Sequence, residues 1–258
     1  MPVIDPSARV DPGAQLADDV EVGAFSVIGP DVEIGAGTRI GPHVVISGHT
    51  RIGRDNRIFQ FCSVGEEPQH RGYKGEPTRV DIGDGNTIRE FCSIHRGTLF
   101  DEGVTRIGNH NLLMAYVHIA HDCVLGDGIT MANGASLAGH VNLADHCILA
   151  GFAMVHQFTQ VGTLAYLGYS TVVTRDVPAF VRCSGYTAQP HGINSVGMRR
   201  RGYTEEDVRS VKQAYRTVYR AKLLFDTARE TLAPLADANP AADIFLASLN
   251  RSKRGIIR

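Results

Sequence analysis

The chain has 258 residues, a formal net charge of −1 and 21% charged residues, which suits one large soluble domain with a small appendage. So even a balance argues against a nucleic-acid or polybasic membrane partner. The opening MPVIDPSARV lacks the apolar stretch of a secretory signal, and no apolar run approaches the roughly 18 residues of a spanning helix.

From Val10 a six-residue step passes through Leu16, Val22, Ile28, Ile34, Ile40, Ile46, Ile52, Ile58 and Val64. It resumes at Ile82, Ile88 and Ile94, and again from Ile107 through Leu113, Ile119, Leu125, Met131, Leu137, Leu143, Leu149, Val155, Val161, Leu167 and Val173. Neither a helix nor a plain alternating strand repeats at six. A short strand plus a corner, three to a coil, makes a triangular parallel β-helix with one continuous core. The residue after the anchor is often glycine, as at Gly23, Gly29 and Gly35, which fits a corner needing unusual φ or close backbone approach. Four residues after the anchor lies a second small slot. Cys62, Cys92, Cys123 and Cys147 fall in it and read as core fillers, not nucleophiles. With Cys183 the cysteines number five, without a CxxC pair, so a reducing cytoplasm is expected rather than a disulfide framework.

Two segments interrupt the register, near 66–80 and 96–106. Loops leaving a rigid repeat commonly carry binding groups. After Val173 the pattern stops. Thr204 with Asp207 reads as a helix start, and Val208, Val211, Tyr215, Val218 and Lys222 or Leu223 follow helical spacing, predicting a helix over about 204–229. Asn239 before Pro240 predicts a second, to about 251. The expected division is a β-helix over 1–185 and a helical part over 186–258.

In an eighteen-residue coil, positions eighteen apart lie one above the other. His140 is eighteen past Asp122; Gly139 is eighteen past His121, and Gln157 eighteen further. His156 shares a column with Ala138 and Ala120, and His95 joins it if the second interruption is only an added loop. His95, His118, His121, Asp122, Gly139, His140, His156 and Gln157 therefore gather on one edge. Two chemistries fit such a cluster. One is zinc held by three histidines, such as His95, His118 and His121, as in a hydratase on this architecture. The other is a histidine base oriented by an aspartate, with a backbone N–H for the oxyanion. His-x-x-His occurs in both.

The hexads resemble the hexapeptide-repeat acyltransferases, whose coils wind left-handed. More narrowly, HIAHDCVLGDG, LAGHV, VHQF, GINSVGMRRRG, REFCSIHRGT, GEPTR and the ending SKRGIIR closely resemble the acyl-carrier-protein–UDP-N-acetylglucosamine O-acyltransferases, which begin lipid A synthesis. The resemblance spans essentially the whole chain and implies a cytoplasmic homotrimer without metal or other cofactor. It assigns His121 as general base for the sugar 3-hydroxyl or 3-amino group, Asp122 as its orienting carboxylate and Gly139 N–H as oxyanion donor. An ordinary imidazole pKa of about 6.5 suits that work. Gln69, His70, His95, His118, His140, His156 and Gln157 would contact substrate, and Asn194 and Arg200 would grip the nucleotide. Tyr169 stands at the family's acyl-chain ruler, where bulk implies a medium chain, about hydroxydecanoyl or shorter. Two departures touch acceptor choice and nucleotide contact. PQHRGY replaces a pattern like PQDLKY, so His70 stands for an acid and Gly72 for a lysine; Val196 stands where some members have a glutamate. The alternatives are a related UDP-sugar N-acyltransferase, which usually carries a further domain before the hexads, the zinc hydratase, and a non-enzymatic scaffold.

Overall fold

An aliphatic residue every sixth position builds strands of mostly two residues, each followed by a corner. The computed structural model describes all residues, 1–258. Strands of successive coils pair in parallel to form three sheets, of eleven, nine and eight strands, which are the sides of a triangular prism; the one antiparallel pairing closes the eleven-stranded sheet. One sheet holds Ile28, Ile46, Val64, Ile94, Ile119, Leu137, Val155 and Val173 in direct register, so the anchors stack as one internal column. All eight are buried. The winding begins earlier than the hexads indicated, with a strand at Val3–Ile4.

The corners separate the two roles expected of the glycine after the anchor. Positive φ falls three residues after the anchor, and side chains other than glycine adopt it: Phe25, Phe61, Asp122 and His140 have φ of 59°, 63°, 58° and 61°. A left-handed residue costs about 1–2 kcal/mol, while each buried anchor contributes about 1.5–3 kcal/mol, so the corner is affordable in every coil. Stacking offsets part of the strain. Phe25, His43, Phe61, Phe91 and Tyr116 form a continuous ring ladder along one edge, with centroids 4.9–5.1 Å apart. The glycine after the anchor serves close approach instead: a Cβ on Gly23 would lie 2.7 Å from Pro42 N.

The second small slot carries the four cysteines as expected, all buried and unpaired. Burial pushes the Cys123 thiol up to about 12 and raises Cys147 as well, which leaves neither as a thiolate near neutrality. The corner that holds Cys147 uses the same slot for amides in its earlier coils. Asn86 N donates to Asn56 Oδ1, Asn111 N to Asn86 Oδ1, and Ile129 N to Asn111 Oδ1, at 2.9, 2.9 and 2.7 Å. The three asparagines are fully buried, and each Nδ2 meets a backbone carbonyl of the next coil.

Both interruptions leave the sheet as loops: 67–78 lies between strands Ser63–Glu66 and Arg79–Ile82, and 96–103 between Ser93–His95 and Val104–Ile107. Arg96 ties them together, donating to Gly65 O at 2.8 Å and to Tyr73 Oη at 3.0 and 2.9 Å. Beyond the last coil, strand Val181–Ser184 pairs antiparallel with Gln189–Ile193, and four helices follow. These are α1 (Ser195–Arg200), α2 (Glu205–Tyr219), α3 (Phe225–Ala238) and α4 (Pro240–Asn250). Thr204 and Asp207 form a reciprocal cap on α2, whose Val208, Val211, Tyr215 and Val218 are buried. The single helix expected over 204–229 is in fact two. Lys222 takes φ of 56° and turns the chain so that α3 packs against α2 and α4. No glycine or proline marks that turn. No helix is long and apolar enough to cross a membrane.

Candidate active site

Asp122 sits in a left-handed corner where its side chain is held inside the prism edge. Thr98 N donates to Oδ1 at 2.9 Å and Thr98 Oγ1 to Oδ2 at 2.6 Å, while the Asp122 N–H donates to Thr105 Oγ1 at 2.8 Å. Burial pushes this carboxyl up, but hydrogen bonds from His121 and Thr98 outweigh it and hold it below its usual value. Asp122 is therefore an anion at neutral pH. Its Oδ2 lies 2.8 Å from His121 Nδ1, which fixes the ring and leaves Nε2 as the free nitrogen. The His121 side chain is 12% exposed.

Gly139 lies over that ring as the eighteen-residue spacing requires. A Cβ there would stand 2.5 Å from His121 Cε1 and 2.8 Å from Nε2. Its N–H enters no backbone hydrogen bond, so it remains available to an oxyanion. His140 follows, its ring 5.1 Å from that of His121 and stacked on Phe158 at 4.3 Å. His70, from the first loop, reaches the other side of His121 at 5.2 Å. His95 and His118 pair edge-on at 5.3 Å, and Ser93 Oγ lies 2.8 Å from His118 Nδ1. His156 and Gln157 are exposed on the same edge, where Arg254 Nη1 donates to Gln157 O at 2.5 Å. Gln69 is exposed on the first loop beside His70.

The three-histidine zinc set does not form. The group whose ligand atoms all lie within 4.8 Å of one another is His121, Asp122 and His140. Both oxygens of its carboxylate are already engaged by Thr98 and His121, which suits an orienting group better than a cation ligand.

The remaining expected residues stand elsewhere on the prism. Asn194 donates to Leu164 O at 3.0 Å at a different corner. With Arg200 it lines a cavity of about 500 Å³ that includes Thr130, His146, Tyr166 and Arg201 but none of the clustered histidines. Val196 faces this cavity. Arg199 is instead paired with Glu205. Tyr169 occupies the third corner, 69% exposed and edge-on to Phe152 at 5.8 Å. The sequence reading did not single out Thr98, Thr105, Ser93, His146, Arg201 or Arg254. Thr98 lay within a quoted motif, but its partner is 24 residues on, across a loop of unknown path.

Burial lowers the His95 pKa to about 4, with the charge of His118 acting the same way, and burial lowers His118 too. An unfolded histidine titrates near 6.5. The unfolded chain thus binds protons first, and stability present above about pH 6.5 is lost as pH falls toward 4. The denaturant midpoint is expected to drop between pH 7 and pH 5, and His95→Gln to flatten that slope; an equally steep slope in the variant would refute it. Asp122 contributes in a separate window: its stabilisation is present above about pH 4 and lost below.

A prism of hexads carrying an imidazole–carboxylate edge beside a free glycine amide defines a hexapeptide-repeat acyltransferase, a left-handed parallel β-helix with a C-terminal helical region. The bacterial transferase hexapeptide profile matches residues 13–48 and 104–139, and a profile described as UDP N-acetylglucosamine O-acyltransferase, domain 2, matches 176–257. The acyl-[acyl-carrier-protein]–UDP-N-acetylglucosamine O-acyltransferase of Halorhodospira halophila is 57% identical over 255 residues, 99% of each chain. That of Thiobacillus denitrificans is 54% identical over 258 residues, the whole of both. The UDP-N-acetylglucosamine acyltransferase of Francisella novicida superposes with a TM-score of 0.98 at 40% identity, covering 99% of this chain and 94% of its own. An Acinetobacter baumannii structure gives 0.97 at 44%, covering 99% and 100%. The chain belongs to the acyl-[acyl-carrier-protein]–UDP-N-acetylglucosamine O-acyltransferase family.

Proposed function

We propose that this chain carries a 3-hydroxyacyl group from acyl carrier protein to position 3 of UDP-N-acetylglucosamine, the first step of lipid A biosynthesis. The observation that carries the reading is the His121–Asp122 pair beneath the unpaired N–H of Gly139. His121 Nε2 takes the proton from the attacking hydroxyl as its oxygen adds to the thioester carbonyl. The anionic oxygen that results is met by Gly139 N–H. Collapse expels the carrier's thiolate, and the imidazolium returns the proton to that sulfur. Asp122 holds the ring and stabilises its cationic form. These residues and the two substrates supply every group the transfer needs, so no cofactor is invoked. His70, His95, His118, His140, His156 and Gln157, with Gln69 beside them, are assigned to substrate contact.

The nucleotide is assigned to the cavity lined by Asn194, Arg200 and Arg201. Neither arginine is in an ion pair, and each offers a phosphate a planar fork of donors. Because that cavity and the histidines lie at different corners of one prism, a complete site requires a second copy, and we assign the working form as a homotrimer. We likewise assign residues 1–185 to the catalytic prism and 186–258 to the helical part, and place the enzyme in the cytoplasm, where acyl carriers and nucleotide sugars meet.

The test is a mass-spectrometric product assay offering UDP-N-acetylglucosamine and its 3-amino analogue with acyl carriers of graded length. Transfer to position 3 is expected; no acylated sugar from either acceptor overturns the reading. In the same assay Tyr169→Gly is expected to shift preference toward longer chains. Each added methylene that gains a pocket is favoured by about 0.8 kcal/mol, or roughly fourfold. An unchanged chain-length profile would remove Tyr169 from that role.

A further inference from the structure

The tip of the second loop holds the groups around His121 from several sides. The ring of His121 is flanked edge-on by His70 and His140, at interplanar angles of 78° and 87°. Each flanking imidazole is gripped by one of two consecutive residues. Phe100 packs on His70 with centroids 4.8 Å apart, and Asp101 Oδ2 lies 2.9 Å from His140 Nδ1. Two residues earlier, Thr98 holds the Asp122 carboxylate. One short segment thus touches the neighbours of the base on either side and the carboxylate behind it.

The contacts fix which nitrogens face the site. A carboxylate only accepts, so Asp101 requires a proton on His140 Nδ1. His140 Nε2 then points toward Asp122 Oδ2, 3.8 Å away. His70 Nδ1 accepts from Gly72 N at 3.1 Å, leaving its Nε2 free. Space is arranged to match. A Cβ on Gly72 would stand 2.8 Å from Phe100 Cζ and 2.9 Å from Cε2, so glycine at 72 and phenylalanine at 100 are one packing solution. A side chain at position 72 would have to displace the tip of the Phe100 ring.

We propose that Asp101 and Phe100 are positioning residues for the acyl acceptor: the loop tip orients His140 through Asp101 and His70 through Phe100, and so shapes the pocket that receives the sugar. The inference rests on the acyl-transfer reading of this edge. It predicts a loss confined to the acceptor. In Asp101→Ala the KM for the UDP-sugar rises about tenfold, the scale of one misdirected hydrogen bond to a polar ligand, with the KM for the acyl carrier unchanged. Asp101→Asn can still accept from Nδ1 and stays within about threefold of the parent. Phe100→Ala raises the same KM, and Phe100→Tyr, which keeps the ring, restores it.

A readout independent of turnover is the nitrogen NMR of the histidine side chains in the full-length protein. Nδ1 of His140 carries the proton in the parent and in Asp101→Asn, and shares it with Nε2 in Asp101→Ala. An Asp101→Ala enzyme with parental acceptor KM and an unchanged His140 tautomer overturns the proposal. So does an equal loss toward both substrates in Asp101→Ala and Asp101→Asn. Should the parent transfer no acyl group at all, the activity reading fails, while the tautomer experiment still decides the contact.

Discussion

Replacing His121 with alanine is expected to lower kcat/KM by about 10²- to 10⁴-fold, the range a positioned general base supplies, and to leave the prism folded. The fold is spared because His121 is neither an anchor nor a core filler; it projects from a corner and its ring is met mainly by other imidazoles. Circular dichroism and the oligomeric mass should match the parent. The variant also tests the shared site. Mixed with Arg200→Ala, which damages the nucleotide cavity, His121→Ala subunits should recover activity after co-refolding, because some interfaces then combine an intact histidine edge with an intact cavity. Parental activity in His121→Ala removes it as the base. No recovery in the mixed sample argues that one prism supplies both halves.

The second large effect needs no polar group to be removed. Gly139→Ala adds one methyl, at a position where φ is ordinary and alanine meets no backbone penalty. That methyl would stand 2.5 Å from His121 Cε1, 2.8 Å from Nε2 and 3.0 Å from Nδ1, closer than carbon contacts allow. Either the ring or the backbone must shift by several tenths of an ångström to an ångström. A displacement on that scale at a reacting group costs about 10²-fold in rate. The Nδ1 bond to Asp122 should loosen along with it. We expect kcat to fall by about 10²-fold in single-turnover kinetics with little change in the melting temperature. A kcat within a few-fold of the parent would show that Gly139 is not packed on the base.

The sequence revealed the prism because its repeat is strict. Once anchors recur every six residues and coils every eighteen, placing His121 beneath Gly139 and Asp122 beneath His140 is arithmetic. Wherever the chain leaves that period, the arithmetic fails. Asp101 and His140 are 39 residues apart and Phe100 lies 30 beyond His70, with a loop path in each interval, so no spacing announces either contact. The corner conformation was hidden for a different reason. Glycine ordinarily signals positive φ, but here phenylalanine, histidine and aspartate adopt it as well, while the glycines directly after the anchors answer crowding between coils. The break between α2 and α3 follows the same logic in the helical part: Lys222 makes the turn that tertiary packing demands, and its own identity gives no warning. Tyr169, two past the anchor Leu167, falls at its corner by the same arithmetic, whereas Asn194 and Arg200 lie beyond the last hexad and no period places them.

A chain of near-identical hexads faces a hazard of phase: wound one hexad early or late, most aliphatic anchors would still find apolar company. The Asn56 and Asn86 amides would be parted, losing the 3.0 Å bond from Asn86 Nδ2 to Asn56 Oδ1. The same slot at another corner still offers a carbonyl, as Ser26 Oγ finds in Gly41 O, so what a slip forfeits is the ladder bond itself, about 0.5–1.5 kcal/mol. By standing on one another, modest side chains thereby favour a single phase among otherwise interchangeable rungs.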